Sequence, residues 1–220
     1  MRYLHGHELL AAHDLNTPDM RRGLITLVQG RAPFTAAQVG QVVGSGVHHN
    51  TAVFIAECAL SDIKPADGIF RYASAYSGVD TFATGVISVL ERRRTDGTHT
   101  TMTYVYAAEL KGHLREAALR AWSPYGLMES NMMANADEFA DRFVHLLVLT
   151  PCCCPFCFSQ INNNRNREDQ ASVLCNLRAA LHALEQPTRP WRVVVENVNT
   201  PTVAIALSCE VGPASPSIRG

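Results

Sequence analysis

Ile69-Phe70-Arg71-Tyr72-Ala73-Ser74-Ala75-Tyr76 runs directly into Ser77-Gly78-Val79-Asp80-Thr81, and then into Phe82-Ala83-Thr84-Gly85-Val86-Ile87-Ser88-Val89-Leu90-Glu91-Arg92-Arg93. The first piece is a short run rich in apolar and aromatic residues, with the length and composition of a buried strand. The second carries a glycine and two small hydroxyl residues, which suits a tight turn. The third reads as a helix over Phe82–Arg93. Strand, turn and helix in immediate succession make half of a β-α-β unit. Pro65-Ala66-Asp67-Gly68 marks the turn ahead of the strand.

The same alternation continues along the chain. Thr101–Ala107, Phe143–Leu149 and Trp191–Val195 read as further buried strands. Helical patterns over Lys111–Trp122 and Gln170–Leu184 lie between them. The latter places Val173, Leu174, Leu177, Ala180, Leu181 and Leu184 at i, i+3, i+4 spacing. Buried strands alternating with helices predict an α/β fold: a mostly parallel sheet covered by helices on both faces. The part before Pro65 differs. Ala36–Leu60 contains a helix over Thr51–Leu60, entered from Gly44-Ser45-Gly46, with Asn50 as its expected cap. Val203–Ser208 is one more possible strand, and residues 211–220 form a Pro/Ser/Gly tail. Asn162–Asp169 is polar, has no apolar periodicity and reads as a mobile loop.

The chain has 220 residues and a net charge of −1. That length suits one domain with a sizeable core. The charge excludes a strongly basic nucleic-acid footprint, so any such contact must be local or supplied by a partner. No apolar run is long enough to span a bilayer, and Met1–His5 lacks the apolar core of a signal peptide. Of seven cysteines, four (Cys152, Cys153, Cys154, Cys157) fall within six residues. Adjacent cysteines staple distant parts of a fold poorly, so free thiols in a reducing compartment are expected, cytoplasm or nucleus.

The cysteine cluster follows an apolar strand that stops at Pro151. In a parallel sheet, the carboxyl edge is where ligands bind. Three readings of the cluster stand level on local chemistry: a nucleophilic thiolate, a zinc site, or small buried residues. Consecutive cysteines hold tetrahedral geometry poorly, and no Cys-x-x-Cys partner lies elsewhere. Farther on, Arg192-Val193-Val194-Val195-Glu196-Asn197-Val198 is a strand that ends in a carboxylate and an amide.

Pro-Cys after one strand and Glu-Asn-Val after a later one resembles the motif pair of the cytosine-C5 DNA methyltransferases. The stretch Arg189-Pro190-Trp191 is similar to that family's lead-in to Glu-Asn-Val. The resemblance implies a Rossmann-like methyltransferase fold, S-adenosyl-L-methionine as cofactor, DNA as partner, and no metal. It implies Cys153 as nucleophile, with Cys152 as the alternative register, and Glu196 and Asn197 as the residues that hold the base. Tyr76, Ser77, Gly78, Asp80 and Thr81 take the place of the cofactor loop, with Asp80 and Thr81 where the family has glycines. Glu109 takes the ribose-binding position, and Asp137 the adenine-binding one, where Asp141 competes. Pro151 belongs to the cofactor site as well. Arg165 and Arg167, in the Asn/Arg-rich loop, would meet phosphates.

Gln41–Ala52 resembles the family's last motif, with Ser45 and Val47 at its cofactor-facing positions. It precedes the cofactor loop here, which implies a circular permutation. The two ordinary termini meet at that place, so joining them costs little. The implied organisation is residues 1–35 as an N-terminal extension without an assigned role, then 36–210 as the catalytic domain. Within that domain 36–62 is the permuted motif and 68–210 the core. The family's recognition region has no counterpart, so a separate recognition subunit or a homo-oligomer is expected to complete it. An inactive methyltransferase-like subunit and a tRNA cytosine-C5 enzyme are the alternatives.

Overall fold

A computed structural model describes residues 5–44, 46–76, 78–95, 97, 99–109, 111–133, 142–150 and 192–195. Five parallel strands form one sheet: β1 (Ile69–Ala75), β2 (Thr101–Ala108), β3 (Met132–Met133), β4 (Leu146–Leu149) and β5 (Arg192–Val195), in the order β3-β2-β1-β4-β5. The chain crosses from β1 outward to β2 and β3, then returns to lay β4 on the other side of β1. Between β1 and β4 the strand order reverses. Open α/β sheets bind ligands beyond the carboxyl ends of their strands at such a point. The fold is α/β and Rossmann-like.

Alternation along the strands divides the core into two faces. Phe70, Tyr72, Met102, Tyr104, Leu146 and Val148 lie on one, together with the helices. Ala73, Ala75, Tyr106, Ala108, Leu147 and Leu149 lie on the other. The β1–β2 register shifts between Tyr72 and Ala73, whose partners are Tyr104 and Tyr106. Val105 is the extra residue, and this bulge keeps Tyr104 and Ala107 both on the helix face although they are three apart.

Six helices are described: α1 (Gly6–Ala12), α2 (Pro18–Leu24), α3 (Ala36–Gly44), α4 (His49–Leu60), α5 (Phe82–Thr95) and α6 (Gly112–Trp122). Residues 5–35 are not a loose extension. Leu10, Leu15, Met20 and Leu24 are fully buried. Helix α2 starts where Thr17 Oγ1 accepts from Met20 N–H and Pro18 fixes the first turn. It then lies along α6, where the space above Gly23 is filled by Ala117 and Ala121.

Three expectations need correction. The helix expected over Thr51–Leu60 starts at His49, and Ala36–Gly44 ahead of it is a further helix beyond that expectation. Asn50 does not cap α4: His48 holds the cap position, and Asn50 Nδ2 donates 2.8 Å to Asp14 Oδ2. The strand ladder at Phe143–Leu149 begins at Leu146, because His145 is used differently, its Nδ1 accepting from Arg71 N–H at 2.8 Å. The two-residue β3 is too short to leave a periodic signal. The helix expected over Gln170–Leu184 and the strand over Val203–Ser208 lie outside the described residues. Among the described residues, no helix is long and apolar enough to cross a membrane.

Candidate functional site at the carboxyl edge of the sheet

The turn after β1 is held in an unusual backbone state. Tyr76, Gly78 and Asp80 all have positive φ, 60°, 59° and 58°. Glycine takes this region freely and aspartate tolerates it, but an aromatic residue is strained there. Tyr76 is fixed by its N–H, which donates 2.8 Å to Ala108 O at the end of β2. Above Gly78 a Cβ would meet only Leu114 Cδ1, at 3.8 Å. The turn therefore leaves open space on the glycine's outer side.

Glu109 follows β2 and is mostly buried. Its Oε2 accepts from Gly78 N–H at 3.0 Å and its Oε1 from Lys111 N–H at 2.9 Å. One carboxylate thus ties the turn after β1 to the turn after β2. This is the expected ribose-binding residue, and it stands at the carboxyl edge beside the expected cofactor loop.

Asp80 and Thr81 turn inward. The Asp80 carboxylate accepts from Tyr72 Oη at 2.9 and 3.1 Å, from Tyr104 Oη, and from Ala83 N–H at 3.3 Å. Ser74 Oγ lies 2.5 Å from Tyr104 Oη. Burial pushes the Asp80 carboxyl above the usual carboxylate range, against the pull of the two tyrosine hydroxyls. Burial, with the Asp80 charge, pushes both tyrosines well up. A second tie comes from Trp122, whose Nε1–H donates 2.6 Å to Val79 O.

Thr81 Oγ1 accepts from Val47 N–H at 2.8 Å. The segment that enters α4 therefore lies against the turn after β1, although 34 residues separate the bonded pair. Helix α4 continues along α5, and the contact closes over Gly85. A Cβ there would come within 2.4 Å of Ala52 C. His49 sits in this interface, with Nδ1 2.9 Å from Thr84 Oγ1 and Nε2 3.5 Å from Ser88 Oγ. Burial lowers its pKa below the ordinary 6.5. His48 points elsewhere, its Nε2 3.7 Å from Asp14 Oδ2, so the two adjacent histidines do not converge.

The structure thus brings Val47, Tyr76, Gly78, Asp80, Thr81 and Glu109 to one end of the sheet. Thr150, the residue before Pro151, donates from its N–H to Ala75 O at 3.0 Å. Leu149 and Val195 are register partners at the ends of β4 and β5, so the strands leading to the cysteine cluster and to Glu196 end side by side. Ser45, Ser77, Asp137, Pro151, Cys152, Cys153, Arg165, Arg167, Glu196 and Asn197 lie outside the described residues.

Sequence reasoning missed the Tyr72–Tyr104–Asp80 cluster. A tyrosine in a buried strand that needs a partner for its hydroxyl was the available signal. It also missed Trp122, whose indole N–H raises the same question.

No protein-family model matches the chain, and no curated protein does. Among solved structures the chain is similar to the citrinin polyketide synthase CMeT domain, at 16% identity and a TM-score of 0.36. The match covers 68% of this chain and 40% of that domain, so the chain spans less than half of its length.

Proposed function

We propose that this chain is the cofactor-binding and catalytic part of an S-adenosyl-L-methionine-dependent methyltransferase acting on C5 of cytosine in DNA. The observation that supports the reading is the Val47 N–H to Thr81 Oγ1 contact. A permuted order of motifs demands that residues 41–52 lie beside the turn after β1, and a bond across 34 residues is not a consequence of local sequence. The residues at the edge suit the cofactor. Gly78 leaves room for close approach, and Glu109 offers a carboxylate where nucleotide folds hold a ribose diol. Tyr76 would pack on the adenine, and Asp137 would take its amino group.

The cofactor supplies an electrophilic methyl group. The protein's part begins with a cytosine extruded from the helix, since its ring cannot be reached in the stack. The Cys153 thiolate adds to C6, leaving nucleophilic character at C5. Glu196 holds N3 and the exocyclic amine and stabilises the charge that develops. Asn197 braces the surrounding loop. After C5 is methylated, its proton leaves to a base and the C6–S bond breaks, which restores the ring and the thiolate. Arg165 and Arg167 meet the DNA backbone, and a partner or second copy supplies recognition.

The test is a covalent adduct with 5-fluorocytosine DNA in the presence of S-adenosyl-L-methionine. It should form with the wild type and vanish in Cys153→Ser. Loss in Cys152→Ser instead moves the nucleophile by one residue. A wild-type chain, supplied with its candidate recognition partner, that binds neither S-adenosyl-L-methionine nor S-adenosyl-L-homocysteine by calorimetry sinks the reading. A second reading is favoured by one observation: Asp80 and Thr81, at glycine positions of the resembled family, spend their side chains internally. On that reading the chain is an inactive subunit that keeps the fold, and it binds the cofactor without turnover.

A further inference from the structure

We infer that Asp80, with Tyr72 and Tyr104, is a positioning device for the turn after β1 and sets cofactor affinity through that turn without touching the ligand. The inference rests on the reading of residues 76–81 as a cofactor loop.

Asp80 belongs to the turn and is 2% exposed, its side chain directed inward. A carboxylate in such a place costs free energy unless it is hydrogen-bonded, and here it accepts from two strands and a helix. Tyr72 comes from β1, Tyr104 from β2, and Ala83 N–H from the first turn of α5. Tyr72 and Tyr104 are direct register partners on neighbouring strands, just ahead of the bulge at Val105, so both point to this face. Their rings meet edge-on with centroids 5.0 Å apart, and Tyr104 stacks on Trp122 at 6.4 Å. Trp122 in turn holds Val79 O, the residue next to Asp80. The turn is therefore fastened at two successive residues to one rigid aromatic layer.

The outer side of the same turn carries Gly78, whose N–H is held by Glu109. Glycine at the position of Asp80 would take the same positive φ with no strain, but would leave the turn free to sample other conformations. Aspartate tolerates that φ and adds an anchor beneath it. The exchange converts a flexible glycine turn into a preorganised one, and preorganisation improves affinity by reducing the ordering cost of binding. At 2% exposure the Asp80 carboxylate is turned away from the ligand side, and its bonds run inward.

The test uses the full chain and S-adenosyl-L-homocysteine as probe. Affinity is measured by calorimetry for wild type, Asp80→Asn and Tyr104→Phe, at a temperature well below each unfolding midpoint. In that regime a merely structural role lowers the midpoint and leaves the affinity alone, because nearly all molecules are folded. The second readout is the emission of Trp122 in a Trp191→Phe background, since the chain has two tryptophans. Both variants should bind about tenfold or more weakly, the scale expected when buried hydroxyls lose their acceptor or the carboxylate loses a donor. Trp122 emission should shift as the Val79 contact loosens. If Asp80→Asn fails to fold, Tyr104→Phe, which removes a single oxygen, decides the matter. Unchanged affinity overturns the inference, whatever the emission does. Weakened affinity with unchanged emission also overturns it, because Asp80 then acts on the ligand directly. A wild type that does not bind at all overturns the proposed function instead. The emission then decides whether Asp80 fastens the turn: a shift supports the anchor and no shift refutes it.

Discussion

Gly85→Ala offers a direct test of how α4 meets α5. The added methyl would lie 2.4 Å from Ala52 C, 2.6 Å from Val53 N and 2.7 Å from Ala52 Cβ. Carbon atoms settle about 3.5–4.0 Å apart, so the two helices must separate by about 1 Å. Backbone cannot rotate out of the way as a side chain can, and overpacking of this kind costs about 1–3 kcal/mol. Against that, alanine gains about 0.5–1 kcal/mol over glycine within a helix. The expected net loss is about 1–2 kcal/mol, and at about 2–4 °C per kcal/mol for a chain of this size the midpoint falls by about 2–8 °C. Gly40→Ala is the control. It lies inside α3, gains the same propensity and meets only Leu9 Cδ1 at 3.7 Å. It should raise the midpoint. The assay is paired thermal unfolding by circular dichroism. If Gly85→Ala is stabilised as much as Gly40→Ala, α4 does not lie on α5 as described, and the route by which Val47 reaches Thr81 fails with it.

Acidification should destabilise the fold through His49 and His145, both held below the ordinary imidazole value of 6.5, chiefly by burial. A depressed histidine pKa means that the unfolded chain binds the proton first, so this contribution is fully present above 6.5 and is lost as pH falls through the lowered pKa. Denaturant midpoints at neutral and mildly acidic pH should show the loss, and His49→Gln should reduce it; an identical pH slope would refute the assignment. Arg93→Met should cost about 1–2 kcal/mol in urea unfolding, since Arg93 Nη2 donates 2.6 Å to Leu60 O and Nη1 donates 3.4 Å to Ile63 O, at the end of α4. No change would mean that water satisfies those carbonyls equally well.

Much of the sheet was legible because strands buried on both faces have an apolar density that few other elements share. Ile69–Ala75 and Thr101–Ala108 depart from expectation by one residue at one end. The turn after β1 and Glu109 could be read because each follows a strand end, and chain order alone places strand ends of a parallel sheet together. The first 60 residues were less legible. Helices α1 and α2 have seven residues each, too short for periodicity to separate them from a loop. What buries Leu10 and Met20 is tertiary contact, which propensity does not encode. The Asp80 anchor was hidden for another reason. Tyr72 and Tyr104 are ordinary strand formers, and only the register of β1 with β2, which makes them direct partners, brings their hydroxyls to one carboxylate.

The docking of α2 on α6 has a consequence for synthesis. Arg22 Nη1 donates to Ala121 O and Arg120 Nη2 to Gly23 O, pairs separated by 99 and 97 residues. The face of α2 that meets α6 therefore lacks its cover until nearly a hundred further residues have been made. At about 5–20 residues per second, that interval is about 5–20 s. Through it the side of α2 that carries Gly23 is open to chaperones and to neighbouring nascent chains. Helix α2 is thus made well before the surface that shelters it.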